Sequence, residues 1–178
     1  MQIRPETTRD RAGVQALHLA AFTGHPEQVA RLVDDLRAST PPQDRTSLVA
    51  ADDDTVVGHV LFTPSLLDAP TRLVPVQVLS PLAVLPDRQR QGIGSTLVRR
   101  GLELLAGGPT PVVFLEGSPD YYGRLGFRPG RELGFRRPSL RIPEAAFQAM
   151  LLPAYEPWMT GTLVYSVPFW RNDAVGLR

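Results

Sequence analysis

The stretch Leu82-Ala-Val-Leu-Pro-Asp-Arg-Gln-Arg-Gln-Gly-Ile-Gly-Ser-Thr-Leu-Val98 limits what this chain can fold into more than any other. An apolar run ends at Pro86 and a basic polar turn with two glycines follows. Ile93, Leu97, Gly101, Leu102 and Leu105 then recur at helical spacing. A strand that turns straight into a helix aims unpaired N–H groups, and the positive end of the helix dipole, at one point. Such a point suits a phosphate-sized anion. Gly92 and Gly94 lack a Cβ and admit an anion against the main chain, while Arg88 and Arg90 add charge that pairs with phosphate oxygens. The turn is not a P-loop, because the chain contains no lysine. Nor is it a dinucleotide fingerprint, because Leu97 stands where G-x-G-x-x-G needs its third glycine.

The flanks place this junction inside one domain. Residues 2–4 read as a short strand ending at Pro5, and Thr7 with Asp10 has the form of a capping box. Val14, Leu17, Ala21 and Phe22 mark one helix; Val29, Leu32, Val33 and Leu36, after Pro26, mark a second. Residues 47–51 and 55–62 are strands around the polar turn Asp52-Asp-Asp54, which lacks the spacing of a calcium loop. A third strand covers 73–84, with Val74, Val76, Val78, Ser80, Leu82 and Val84 expected on one face. Pro81 cannot donate to a central ladder, so pairing on one side should open near residues 80–84. Backbone groups freed there can bind an extended ligand as an added strand would. Residues 111–116 form a buried strand, and Ser118-Pro119 starts a short helix that stops at Gly126. Phe127 begins another strand, residues 144–152 are expected as a helix, and 161–167 as the last strand. The domain spans 1–170, with 171–178 expected as a flexible tail.

Composition removes several chemistries. All 19 basic residues are arginine and cysteine is absent, which excludes Schiff-base lysine, thiol nucleophile and disulfide. A formal net charge of +1 gives no general field for nucleic acid or anionic membrane. Neither a signal-peptide core nor an apolar run near ~18 residues is visible, so a cytoplasmic protein without a membrane partner is expected. No metal site is read from the sequence.

Gln89-Arg90-Gln91-Gly92-Ile93-Gly94 resembles the acyl-CoA pyrophosphate loop, Q/R-x-x-G-x-G/A, of the GCN5-related N-acetyltransferases (GNAT). Tyr122, Gly126 and Phe127 resemble that superfamily's Y-x-x-x-G-F segment. The spelling of residues 117–127 and the tail Val164-Tyr165…Pro168-Phe169 is similar to the bacterial YhbS-type branch. The resemblance implies an α+β fold, an α/β/α sandwich on a mixed, mostly antiparallel sheet opened at its fourth and fifth strands. It implies acetyl-CoA as cosubstrate. Backbone groups of Leu82, Ala83 and Val84 would meet the pantetheine arm, and N–H groups of Gln91, Gly92, Ile93, Gly94 and Ser95 the pyrophosphate. Arg88, Gln89, Arg90, Ser118 and Tyr121 join the expected coenzyme contacts. Tyr122 would lie near the thioester sulfur. A phenol with pKa near ~10 stays protonated at neutral pH and can donate to a leaving thiolate.

The base is not fixed by the resemblance. Histone-type members carry an acid in the strand before the glycine loop, where this chain has Val78. Glu116 and Glu27 are the carboxylate candidates, with His25 a rival; His59 alternates with Val57 and Leu61 and reads as structural. The expected reaction is acetyl transfer to a primary amine, on a small molecule or a peptide, by direct attack in a ternary complex. A non-catalytic CoA-binding module and a nucleotide-phosphate binder remain alternatives at this point. Trp158, Phe169 and Trp170 offer a surface for a second copy, as in a homodimer.

Overall fold

The computed structural model describes residues 1–176. β1 (Gln2–Pro5), β2 (Thr46–Asp52), β3 (Thr55–Asp68) and β4 (Leu73–Val84) form an antiparallel meander in which the centres of β2 and β3 are buried on both faces. β4 then pairs in parallel with β5 (Val112–Glu116), and β5 antiparallel with β8 (Phe147–Leu151). The short β6 (Arg128–Pro129) adds to β8, while β7 (Phe135–Arg136) joins β9 (Gly161–Val164) against the end of β3.

Helices cover both faces. α1 (Arg11–Ala21) and α2 (Pro26–Ser39) set Val14, Leu17, Leu32, Val33 and Leu36 against Val49, Leu61, Val76, Val78 and Phe114. On the other face, α3 (Ile93–Ala106) and α4 (Pro119–Gly123) bury Ile93, Leu97, Val98 and Tyr122 against Leu48, Val60, Phe62, Val113 and Leu115. The α/β/α layering that the resemblance implies is therefore present. At the start of α1, the Asp10 carboxylate accepts from the Thr7 N–H at 2.7 Å and from the Arg4 guanidinium twice, fastening β1 to the helix.

The sheet opens where Pro81 predicts. β4 meets β5 only at Gln77↔Val113 and Val78↔Phe114, so from Leu79 to Val84 its outer edge has no strand partner. The predicted facing of β4 is corrected, however. Val60 pairs with Leu82 but Phe62 with Leu79, so one extra residue bulges at Ser80 and Pro81. A one-residue insertion exchanges the faces of everything beyond it. Ala83 consequently joins Val74, Val76 and Val78 in the core under α1 and α2, while Leu82 and Val84 turn to the α3 side.

Other expectations also change. β3 continues past Phe62 to Asp68; it contains Pro64, which lies opposite Gln77 of β4 and, on the other edge, between the stretches paired with β2 and β9. Residues 144–152 are not a helix. A 3-10 turn at Glu144–Ala146 leads into β8, because the open edge of β5 needs a partner and tertiary pairing overrides local propensity. The last strand ends at Val164, and α5 (Val167–Arg171) follows.

The expected flexible tail is also corrected up to Gly176. Asn172 donates to Asp35 at 2.8 Å, Gln28 donates to the Asn172 carbonyl, and Ala174 and Val175 are buried. Leu177 and Arg178 lie outside the described residues. Of the aromatic residues expected to face a second copy, Phe169 is buried within the chain and Trp158 lies under the Arg72 guanidinium.

Candidate active site

Gly92 caps α3 with φ of +84°, a left-handed geometry that favours glycine. The first helical bond runs from the Thr96 N–H to the Gly92 carbonyl, and no side chain caps this end. The N–H groups of Ile93, Gly94 and Ser95 are thus left to a ligand or water. They open on a cavity of about 570 Å³ lined by Leu82, Val84, Arg88, Gln89, Arg90, Gly92, Ile93, Gly94, Ser95, Tyr121 and Arg124. Gln89 braces the loop by donating to the Val84 carbonyl at 3.1 Å. Arg88 lines the cavity while its guanidinium pairs with Asp52. Arg90 and Arg124 have no ion-pair partner among the described residues, so positive charge faces the cavity from two sides.

Leu82 also lines a second, smaller cavity of about 160 Å³. Its walls include Val78, Leu79, Ser80 and Pro81 from the opened β4, Phe22, Val29 and Leu32 from the α1–α2 region, and Phe169 and Ala174 from the C-terminal segment. Glu116, Tyr122 and Tyr165 face the same space. Gly117 makes this possible: a Cβ there would stand 2.3 Å from the Tyr122 ring. Burial raises the Tyr122 phenol above its ordinary pKa, and the hydroxyl takes no hydrogen-bond partner among the described residues. Burial also raises Glu116 above the usual carboxylate range, partly offset by hydrogen bonds from the Tyr165 hydroxyl at 2.7 Å and the Gly176 N–H at 2.9 Å. A protonated phenol and a desolvated carboxylate on one cavity are suited to opposite halves of a proton transfer.

Most sequence candidates gather here, but not all. Ala83 presents only its main chain, since its side chain is buried on the opposite face. Gln91 is exposed and its side chain bonds the Asp87 carbonyl. Ser118 is exposed at the start of α4 and lines neither cavity. Glu27 lines neither cavity: its side chain is 81% exposed, beside Arg31. His25, also exposed, precedes α2. Arg124, Tyr165 and Phe22 were missed as lining residues. Arg124 lies one turn from Tyr121 on the same motif, which was a usable signal; nothing local points to Tyr165 or Phe22.

His59 belongs to a separate buried cluster. Its Nδ1 lies 2.9 Å from His18 Nε2, and its Nε2 lies 3.0 Å from the Ser47 hydroxyl. Burial lowers the pKa of both imidazoles, His18 to about 2, so both are neutral. Glu6 pairs with Arg37 at the end of this chain of contacts. Burial works against a charge on Glu6, but His59, Ser47 and Arg37 outweigh it and hold its pKa at about 2. Among the described residues no group of three or more His, Asp or Glu side chains is placed to hold a metal ion, and no helix is long and apolar enough to cross a membrane.

Known proteins share this architecture. Residues 2–130 match the family described as Acetyltransferase (GNAT) domain. The uncharacterized N-acetyltransferase YjhQ of Escherichia coli K12 is 33% identical over 144 residues, covering 79% of this chain and 77% of that protein. The crystal structure of the GNAT family N-acetyltransferase YhbS from Escherichia coli in complex with CoA aligns with a TM-score of 0.83. That alignment has 30% identity and covers 96% of this chain and 92% of the other. A GNAT family acetyltransferase from Brucella melitensis in complex with acetyl-CoA aligns at 0.74 with 31% identity, over 94% and 97% of the two chains.

Proposed function

The chain belongs to the GNAT acetyltransferase family, and from that premise we propose that it moves an acetyl group from acetyl-CoA directly to a primary amine. The observation that carries the reading is continuity. Free N–H groups at the start of α3 and the unpaired edge of β4 lead past Leu82 to the cavity holding Tyr122 and Glu116. Ile93, Gly94 and Ser95 would bind the pyrophosphate with Arg90 and Arg124 beside it, and main-chain groups of Leu82, Ala83 and Val84 the pantetheine arm. Two relatives were crystallised with CoA or acetyl-CoA, which supports the same occupant here.

The chemistry then falls to few groups. A backbone N–H in the opened part of β4 polarises the thioester carbonyl. Glu116 accepts the proton released by the attacking amine, and Tyr122 donates one to the departing thiolate. The cavity holds amine and thioester together, which lowers the entropic barrier to attack. With no cysteine in the chain, the acetyl group does not pass through a cysteine thioester on the protein.

Two measurements test this. Calorimetry should register CoA binding, with dephospho-CoA competing and ATP much weaker. Free thiol should appear from acetyl-CoA only when an amine is added. Binding without thiol release would mark a non-catalytic CoA module, and ATP competing as well as CoA would mark a nucleotide-phosphate binder.

A further inference from the structure

Glu116 ends β5 with both carboxylate oxygens already bonded. The Tyr165 hydroxyl donates to Oε1 at 2.7 Å, and the Gly176 N–H donates to Oε2 at 2.9 Å. A carboxylate offers about four lone-pair positions, so these two bonds leave others free for an incoming amine. Donors to the ionised form favour it, while desolvation opposes it. Burial lifts Glu116 above the ordinary carboxylate range, and Tyr165 is the largest influence pulling it back, ahead of the Gly176 N–H and the Arg141 guanidinium. Arg141 is itself paired with Asp173. From the neighbouring strand β8, the uncharged Phe147 and Gln148 stand beside this end of β5.

Tyr165 is firmly held in turn. Its ring stacks on Phe169 of α5, with centroids 4.5 Å apart and 17° between the planes. Its carbonyl accepts from the Trp170 indole at 3.3 Å. Burial and the neighbouring carboxylate keep the phenol protonated well above neutral pH. Two tyrosines thus face one cavity with different duties: the Tyr165 proton is committed to Glu116, and the Tyr122 proton is not. Resting on the reading of Glu116 as the base, we propose that Tyr165 is a positioning residue, which orients the Glu116 carboxylate in the cavity and keeps it ionised for proton acceptance. The amine's proton goes to a free lone pair of Glu116, and Tyr165 gives up none of its own.

The test is Tyr165→Phe in the full chain, which keeps the ring and its stack on Phe169 and deletes the donor. The pH profile of kcat/KM is read by free thiol, with acetyl-CoA and whichever of benzylamine, spermidine, kanamycin and trialanine turns over fastest. The acidic limb should move up by about one pH unit, so activity below the limb falls about tenfold, while activity above it and KM for acetyl-CoA stay close to the parent's. In a Glu116→Gln background the same substitution should leave the profile unchanged, since a group that acts through Glu116 has nothing left to act on. Carbon-13 NMR of carboxyl-labelled glutamate, with the Glu116 signal identified by its loss in Glu116→Gln, should show the same upward shift without any amine. Phe169→Leu, which loosens the ring and keeps the hydroxyl, should shift the limb the same way by less, and stands in should Tyr165→Phe fold poorly. An unmoved limb and NMR midpoint, or an equal loss at every pH, overturns the role of Tyr165 and leaves Glu116 as base. A limb that persists in Glu116→Gln overturns the base reading itself.

Discussion

Two groups of ionisable side chains lie inside this fold, and burial alone does not tell them apart. Glu6, Arg37, Ser47, His59 and His18 form one chain of contacts that opens on neither cavity beside Tyr122, with His18 Nδ1 and Arg37 Nε left unpartnered among the described residues. Glu116, Tyr122 and Tyr165 are comparably desolvated, yet all three face a cavity, and the Tyr122 hydroxyl has no partner among the described residues. Both groups have shifted pKa values. In the first group burial keeps the two imidazoles neutral, while protein partners hold Glu6 ionised against it. In the second, burial dominates and the remaining partner is external. A perturbed pKa marks a working site only where the geometry leaves the group something to do.

The largest effect that would sharpen this contrast is Tyr122→Phe. Turnover should fall about a thousandfold, within the range for loss of a general acid, with CoA affinity by calorimetry unchanged. Equal loss of both would make the hydroxyl structural. Glu6→Gln should do the reverse: an unfolding free energy lower by roughly 3 kcal/mol in urea melts, with kcat of the folded protein preserved. The same pair predicts acid sensitivity. Glu6 has a folded pKa of about 2, below the unfolded value near ~4.3, so its contribution is complete above that value and is lost as pH falls toward 2. Glu6→Gln should flatten the stability profile there.

Glu116→Gln should lower kcat/KM about a hundredfold. It should also remove an acidic limb, because the base form of a carboxylate with raised pKa appears only above the ordinary glutamate range. A pH profile with the same limb in the variant would return the base role to another group. The smallest effect is expected at Gly92→Ala. A Cβ there meets nothing within 4 Å, but φ is +84°, so the cost is backbone strain of about 1 kcal/mol and a comparable loss of CoA affinity.

Legibility followed the same division. The anion cradle needed only Gly92, Gly94 and the helical spacing after them, because a helix N-terminus is made by neighbours in sequence. Pro81 announced the opening of the sheet, since a missing N–H is a property of one residue. The facing of Leu82 and Val84 was misread, because the extra residue at Ser80 and Pro81 is defined only against β3. Residues 144–152 were misread as helix because the free edge of β5 is a distant fact. Glu27 looked as eligible as Glu116 until folding turned the one outward and the other into the cavity.

By itself the sequence determined the anion cradle at the start of α3 and the position of the break in the sheet. Both follow from local hydrogen-bond supply, side-chain period and the presence or absence of a Cβ. The tertiary structure alone decided the cavity around Glu116 and Tyr122. Glu116 meets Tyr165 49 residues later and Gly176 60 residues later, and Phe22 closes the wall from another helix. Contacts so distant in sequence leave no periodic trace, since they depend on which surfaces the packed core brings face to face.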